Sequence, residues 1–184
     1  MRGLFFCVAL FLSSWSICQS DYKFGGAIRY EVGLNKANWN LIEPIFLFKY
    51  KKHQFEIGPQ LLLQSRYFTP YHRDFGAAFS YVYYPLDLEN RFNLFFFFSP
   101  DYFIELSRVN FKKYARRYCD IDFGYGFTIN ITNRFYLNLR TAIGMSFDSY
   151  TEGVDDYNFS ESKLFSSPDI NFSASTCFGI RFKK

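Results

Sequence analysis

The sequence is short of the residues from which most active sites and covalent frameworks are built. Its 184 residues include two histidines, His53 and His72, and four cysteines. No stretch approaches eighteen consecutive apolar residues, so no segment reads as a transmembrane helix. Charge of one sign is scarce too: the formal net charge is +4, dispersed along the chain, too little to single out nucleic acid as a partner. These shortages point away from an enzyme, a bound metal or a cofactor.

What is abundant is aromatic surface. Phe and Tyr number 26 and 15, and aromatics make up 23% of the chain, yet the mean hydropathy is only −0.12. A strand wall that faces lipid on one side satisfies both values, because each apolar residue alternates with a polar or small one. The N-terminus reads as a secretory leader over 1–18. Arg2 supplies the positive region, Leu4 to Leu12 the apolar run, and Ser16 and Cys18 the small residues before a cleavage site. Cleavage after Cys18 leaves Gln19 at the start of a mature domain, 19–184, whose only thiols are Cys119 and Cys177.

From Tyr22 onward the governing signal is period two. Phe24, Ile28, Tyr30 and Val32 alternate with Gly25, Arg29, Glu31 and Gly33. Ile121, Phe123, Tyr125 and Phe127 alternate with Asp120, Asp122, Gly124 and Gly126. Phe135, Leu137, Leu139 and Ile143 alternate with Tyr136, Asn138, Arg140 and Gly144, and Ile170, Phe172, Phe178 and Ile180 with Asn171, Ser173, Gly179 and Arg181. No apolar row here carries a charge, the footprint left when each Arg or Lys in hydrocarbon costs roughly 2–4 kcal/mol. Segments 39–50, 54–66, 74–85 and 91–99 complete a set of eight less cleanly. Leu41, Ile45 and Leu47 oppose Ile42, Phe46 and Phe48, and Leu94 to Phe98 is apolar on both faces. Pro44 and Pro59 each delete a ladder hydrogen bond, so a closed barrel needs bulges at those positions.

The connections alternate in length. Short turns fall at 51–53, 86–90 and 132–134, and longer links at 67–73, 100–118 and 149–168, with only 35–38 short among the latter set. This predicts an all-β fold: an eight-stranded antiparallel up-and-down transmembrane β-barrel in the bacterial outer membrane, both termini periplasmic. Tyr22, Trp39, Tyr50, Tyr67, Tyr83, Tyr118 and Tyr136 lie near strand ends, where an interfacial girdle would place them. The alternative is a soluble lipocalin-like barrel with its apolar row inward. It would turn Gly124, Gly126, Ser173 and Gly179 toward water, although small residues suit a tight interior better.

Several stretches resemble small outer-membrane β-barrel proteins of the Bacteroidetes type, related in architecture to the OmpX and OmpA transmembrane domains and including the PorT-like proteins. They are the leader ending before Gln19, the turn into His53-Gln54-Phe55-Glu56-Ile57-Gly58-Pro59, and Phe75-Gly76 leading to Tyr81-Val82-Tyr83-Tyr84-Pro85. The closing Phe178-Gly179-Ile180-Arg181-Phe182 looks like the C-terminal aromatic signal read by the barrel-assembly machinery, with Lys183 and Lys184 added after it. The resemblance spans the mature chain and implies the barrel. Through the PorT-like relatives it also implies, as one alternative, an accessory role in type IX secretion and gliding.

Opposite the apolar rows, Lys23, Arg29, Glu31, Glu56, Gln60, Gln64, Arg66, Asp120, Asp122, Arg140 and Arg181 mix both signs. A narrow eight-strand barrel has room for side chains and little else, so these predict an interior ion-pair network and no open pore. Link 100–118 carries Lys112, Lys113, Arg116 and Arg117, a candidate site for lipopolysaccharide phosphates or a partner. Link 149–168 is acidic without the ordered spacing of an EF-hand, and the two links also read as neutralising each other. A lipid A-modifying enzyme is the rival from another class, but His53 falls on the periplasmic side, and His72 lacks the His-x-Ser pair of the deacylases. Cys119 at the outer rim and Cys177 deep in the last segment are about 20 Å apart along the axis, too far for a disulfide. The expected role is structural or interactive, through the outer loops. Candidate partners are lipopolysaccharide, the barrel-assembly machinery during biogenesis, and a membrane protein.

Overall fold

Alternation becomes strand wherever the inward residue can be packed or hydrogen-bonded. The computed structural model describes residues 23–33, 40–64, 73–86, 91–109, 112–152 and 168–182. Eight strands run β1 (Phe24–Gly33), β2 (Asn40–Tyr50), β3 (His53–Gln64), β4 (Arg73–Tyr83), β5 (Phe92–Val109), β6 (Lys112–Asn130), β7 (Phe135–Glu152) and β8 (Pro168–Phe182). Each pairs antiparallel with its chain neighbours, and β1 pairs with β8 to close the barrel. The leader expected over 1–18 lies outside the described residues, as do Trp39 and Arg66.

Polarity is inverted relative to a water-soluble barrel. Ile28, Ile57, Phe75, Phe123, Tyr125, Ile143 and Phe178 are exposed on the exterior, whereas Arg29, Glu56, Asp122 and Arg140 are buried. The lipocalin-like alternative requires the opposite arrangement and is excluded. The interior is not polar throughout, however. Ala27, Ile45, Leu47, Tyr136 and Cys177 form one buried apolar cluster, and Val82, Tyr84, Phe95, Phe97 and Ala142 form another. These clusters explain why the segments holding Leu41 to Leu47 and Leu94 to Phe98 read as apolar on both faces: one face is exterior and the other is core. Glycine makes the space. A Cβ on Gly126 would stand 2.4 Å from the Phe95 ring, and one on Gly124 would stand 2.6 Å from Phe97.

Short connections gather at one end. Lys51 and Lys52 turn β2 into β3, with Lys51 in the left-handed conformation at φ 55°. At 131–134, Thr132 Oγ1 accepts the backbone N–H groups of Arg134 and Phe135 at 3.2 and 3.0 Å, a side-chain cap that fixes the turn. The other end departs from expectation. Link 100–118 is not a loop: β5 and β6 remain paired from Phe92–Ile129 to Val109–Lys112, so only 110 and 111 separate them. Lys112, Lys113, Arg116 and Arg117 therefore sit on strand β6 rather than in a loop. Likewise β7 continues to Glu152, which trims the acidic link to 153–167. The physical reason is that Tyr102, Ile104 and Leu106 keep alternating with Asp101, Phe103 and Glu105, and Glu105 is paired in register with Arg116.

The prolines are accommodated without the expected bulges. Ile42 lies opposite Leu61 and Phe46 opposite Ile57, equal spacings that set Pro44 against Pro59, and the ladder lapses between those pairs. Both absent N–H groups thus fall on one rung. Gln60 Nε2 donates to Glu43 Oε1 at 2.9 Å and stitches the gap from inside. At Pro100 the β4–β5 ladder lapses between Ala78–Asp101 and Tyr81–Phe98. There Ser99 Oγ donates to the Phe79 carbonyl at 2.9 Å, and Asp101 Oδ1 accepts the Phe79 N–H at 3.2 Å. Ser99 supplies the donor that proline lacks. Ser99→Ala should therefore destabilise the barrel by about 1–3 kcal/mol, the cost of an unsatisfied carbonyl. The loss should shrink when Pro100→Ala restores the backbone donor. Urea unfolding of the two single variants and the double variant checks this, and equal losses in both backgrounds would refute the compensation.

Candidate functional site

The bore is crossed by a side-chain hub. Arg29 on β1 is 2% exposed. Its Nη1 pairs with Glu43 of β2 at 2.9 Å, and its Nη2 reaches Glu56 of β3 and, at 3.4 Å, Ser80 Oγ of β4. Glu56 Oε1 accepts from Arg140 Nη2 of β7 at 2.5 Å and from Gln54 Nε2 at 2.7 Å. Two guanidinium groups share one carboxylate. Since β3 and β7 lie on opposite sides of an eight-membered ring, the Glu56–Arg140 contact spans the interior. Arg140 also rests with Cζ 5.2 Å from the ring centroids of both Phe95 and Phe97, which joins the charged hub to the aromatic cluster. Ser80 Oγ and Ser99 Oγ are 2.7 Å apart and extend the network to Asp101.

Other buried charges are held differently from the expected ion pairs. Asp122 accepts from Asn171 Nδ2 at 3.4 Å and from Ser173, and Asp120 is bonded by Ser146. No cation among the described residues pairs with either aspartate. Arg181 donates to Asn130 Oδ1 at 2.6 Å and lies 4.8 Å over the Tyr136 ring. Glu31 is buried two residues from Arg29 on the same row. Lys23 does not join the interior: it precedes β1 and is exposed, because the row ends where the strand ends. Arg66 lies outside the described residues, and Gln64 is the last residue of β3.

Glu43, Lys49 and Asp101 are buried charges that the sequence reading missed. Parity alone places Glu43 and Lys49 opposite Phe46 and Phe48, but the neighbouring Leu41, Ile45 and Leu47 hid the row. Asp101 was obscured by Pro100, which reads as a strand end. The described buried set holds four cations, Arg29, Lys49, Arg140 and Arg181, against six carboxylates, Glu31, Glu43, Glu56, Asp101, Asp120 and Asp122. Most of the acids lie toward the end carrying the long strand extensions.

Little here resembles catalytic machinery. His53 Nδ1 is 2.7 Å from Tyr81 Oη at the short-turn rim, and His72 lies outside the described residues. Among the described residues no group of three or more His, Cys, Asp or Glu is placed to hold a metal ion. Cys119 and Cys177 are both free thiols on opposite row parities, Cys177 buried in the core cluster.

The arrangement defines a small closed barrel of eight antiparallel strands whose centre is filled with salt-bridged and aromatic side chains. Two solved structures share it. The crystal structure of Neisserial surface protein A superposes with a TM-score of 0.58 at 7% identity, covering 86% of this chain and 96% of that one. The N-terminal β-barrel domain of Pseudomonas aeruginosa OprF gives 0.57 at 8% identity, covering 88% and 98%. Likeness at this identity concerns the fold. No family model matches the chain, and no curated protein matches it in sequence.

Proposed function

We propose that the protein is a sealed outer-membrane barrel that acts on the outer side of the envelope, through the sheet that β5, β6 and β7 carry past the apolar band. The inversion of polarity carries this reading, since a surface bearing Ile57, Phe75, Tyr125, Ile143 and Phe178 needs an apolar solvent. The dimensions support it. The exterior rows from Phe92 to Tyr102, Ile131 to Ile121 and Phe135 to Met145 each measure about 33 Å along the strand at roughly 3.3 Å per residue. At a tilt of about 40° that becomes roughly 25 Å, the height of a barrel's apolar band. Strands β5 to β7 are 18, 19 and 18 residues long, well beyond the 10 and 11 of β1 and β2. The surplus forms a paired sheet past the band.

In this reading the leader over 1–18 is removed and both termini stay periplasmic, with the short turns. Kinship with the Bacteroidetes-type, PorT-like barrels rests on the motifs at 53–59, 75–85 and 178–182. A secretion-accessory role would use the same projecting sheet to hold its partner. We read the protein as non-catalytic. The Arg29–Glu56–Arg140 hub across the bore means that purified protein in planar bilayers should show no stable single-channel conductance. A steady open channel would contradict the sealed interior.

A further inference from the structure

The register sorts the charges of the projecting sheet by face, and this inference rests on the membrane placement proposed above. Arg117 is paired with Ile104 and Ser149, Lys113 with Arg108, and Arg73 with Leu106. Strand parity places Arg73, Arg108, Lys113 and Arg117 on the rows that continue the exposed exterior residues Phe75, Tyr102 and Phe123. Those continuing rows carry no acid. The interior rows of the same stretch carry Asp74, Asp101, Glu105, Asp148 and Glu152, alongside Lys112 and Arg116. The basic group at 112–117 is therefore two half-groups on opposite faces, and Arg73 and Arg108 join the outer half.

The outer half is unusual in two respects. Arg108 and Lys113 are directly opposite in register, and like charges so placed weaken a bare sheet. Arg117 follows Ile121, the upper limit of the apolar row, by about 13 Å along the strand, which is headgroup depth. An anion at that depth would remove the repulsion. We infer that Arg73, Arg108, Lys113 and Arg117 form a binding surface for the phosphate groups of a phosphorylated glycolipid in the surrounding outer leaflet. Guanidinium groups bind phosphate bidentately, and basic residues next to a membrane add attraction for anionic headgroups. Lys112 and Arg116, on the other face, take no part.

The test uses the full mature chain in phosphatidylcholine bilayers with and without lipid A, and with dephosphorylated lipid A as the comparison. Lipid A, but not its dephosphorylated form, should raise the midpoint of thermal unfolding and co-purify with the protein. The quadruple variant Arg73→Gln, Arg108→Gln, Lys113→Gln, Arg117→Gln should lose the rise and retain about tenfold less lipid A, while Lys112→Gln with Arg116→Gln keeps both. Stabilisation that survives the quadruple variant, that vanishes with the Lys112/Arg116 pair, or that a soluble anion reproduces equally would overturn the inference. Each variant is first tested for insertion into phosphatidylcholine alone. If the unaltered chain does not insert, the membrane reading fails and takes this inference with it. Insertion without any phosphate-dependent stabilisation sinks the inference alone.

Discussion

Glu56→Gln should be the most damaging single substitution in the barrel that leaves its shape intact. The carboxylate holds Arg29 and Arg140 together from opposite sides of the bore, and all three side chains are almost wholly buried. Neutralising it leaves two guanidinium groups facing one amide in a low-dielectric interior, with Glu43 pairing only Arg29. Removing one member of a buried ion pair costs about 3–5 kcal/mol, most of it the desolvation of the charge left behind. The expected loss lies in that range. Adding Arg140→Gln should recover part of it, because the uncompensated charge goes too, so the double-mutant cycle should be strongly non-additive. Denaturant unfolding of the four proteins in the same bilayer measures the cycle. A loss for Glu56→Gln under about 1 kcal/mol would mean that water reaches the hub, and with it that the bore is not sealed.

Much of this was legible in the chain, and the exceptions have physical causes. β1, β6, β7 and β8 could be read because their inward residues are small or polar, so the two rows differ in chemistry. β2 and β5 could not, because Leu47, Phe95 and Phe97 fill the core near the short turns and make both rows apolar. The same interior packing hid Glu43. Pro100 looked like a terminus, yet the strand continues because Ser99 and Asp101 take over its hydrogen bonds. The partners of the inward charges were beyond sequence reading altogether. Whether Asp122 meets an arginine or Asn171 is set by how far the strands are staggered around the ring, and no single strand's pattern records that stagger. Parity also misplaced Lys23, which continues the inward row of β1 one residue past the point where the strand exists.

The second large effect concerns the exterior. Leu139 is 46% exposed and sits midway along the outer row of β7, between Phe127 of β6 and Thr176 of β8 in register. If that row meets hydrocarbon, Leu139→Arg places a charge near the bilayer midplane. Ile131, 55% exposed, sits at the end of the band by the turn into β7, where an arginine can reach the headgroups. The two positions differ little in exposure and greatly in expected depth. A water-soluble protein would tolerate arginine about equally at both.

The account stands or falls on what surrounds those aromatic and aliphatic rows, so the decisive measurement compares Leu139→Arg with Ile131→Arg by reversible unfolding in lipid bilayers. Contact with hydrocarbon predicts a loss of about 2–4 kcal/mol for Leu139→Arg and about 0–1 kcal/mol for Ile131→Arg. Equal and negligible losses, or a folded chain that stays in water without lipid or detergent, would contradict it.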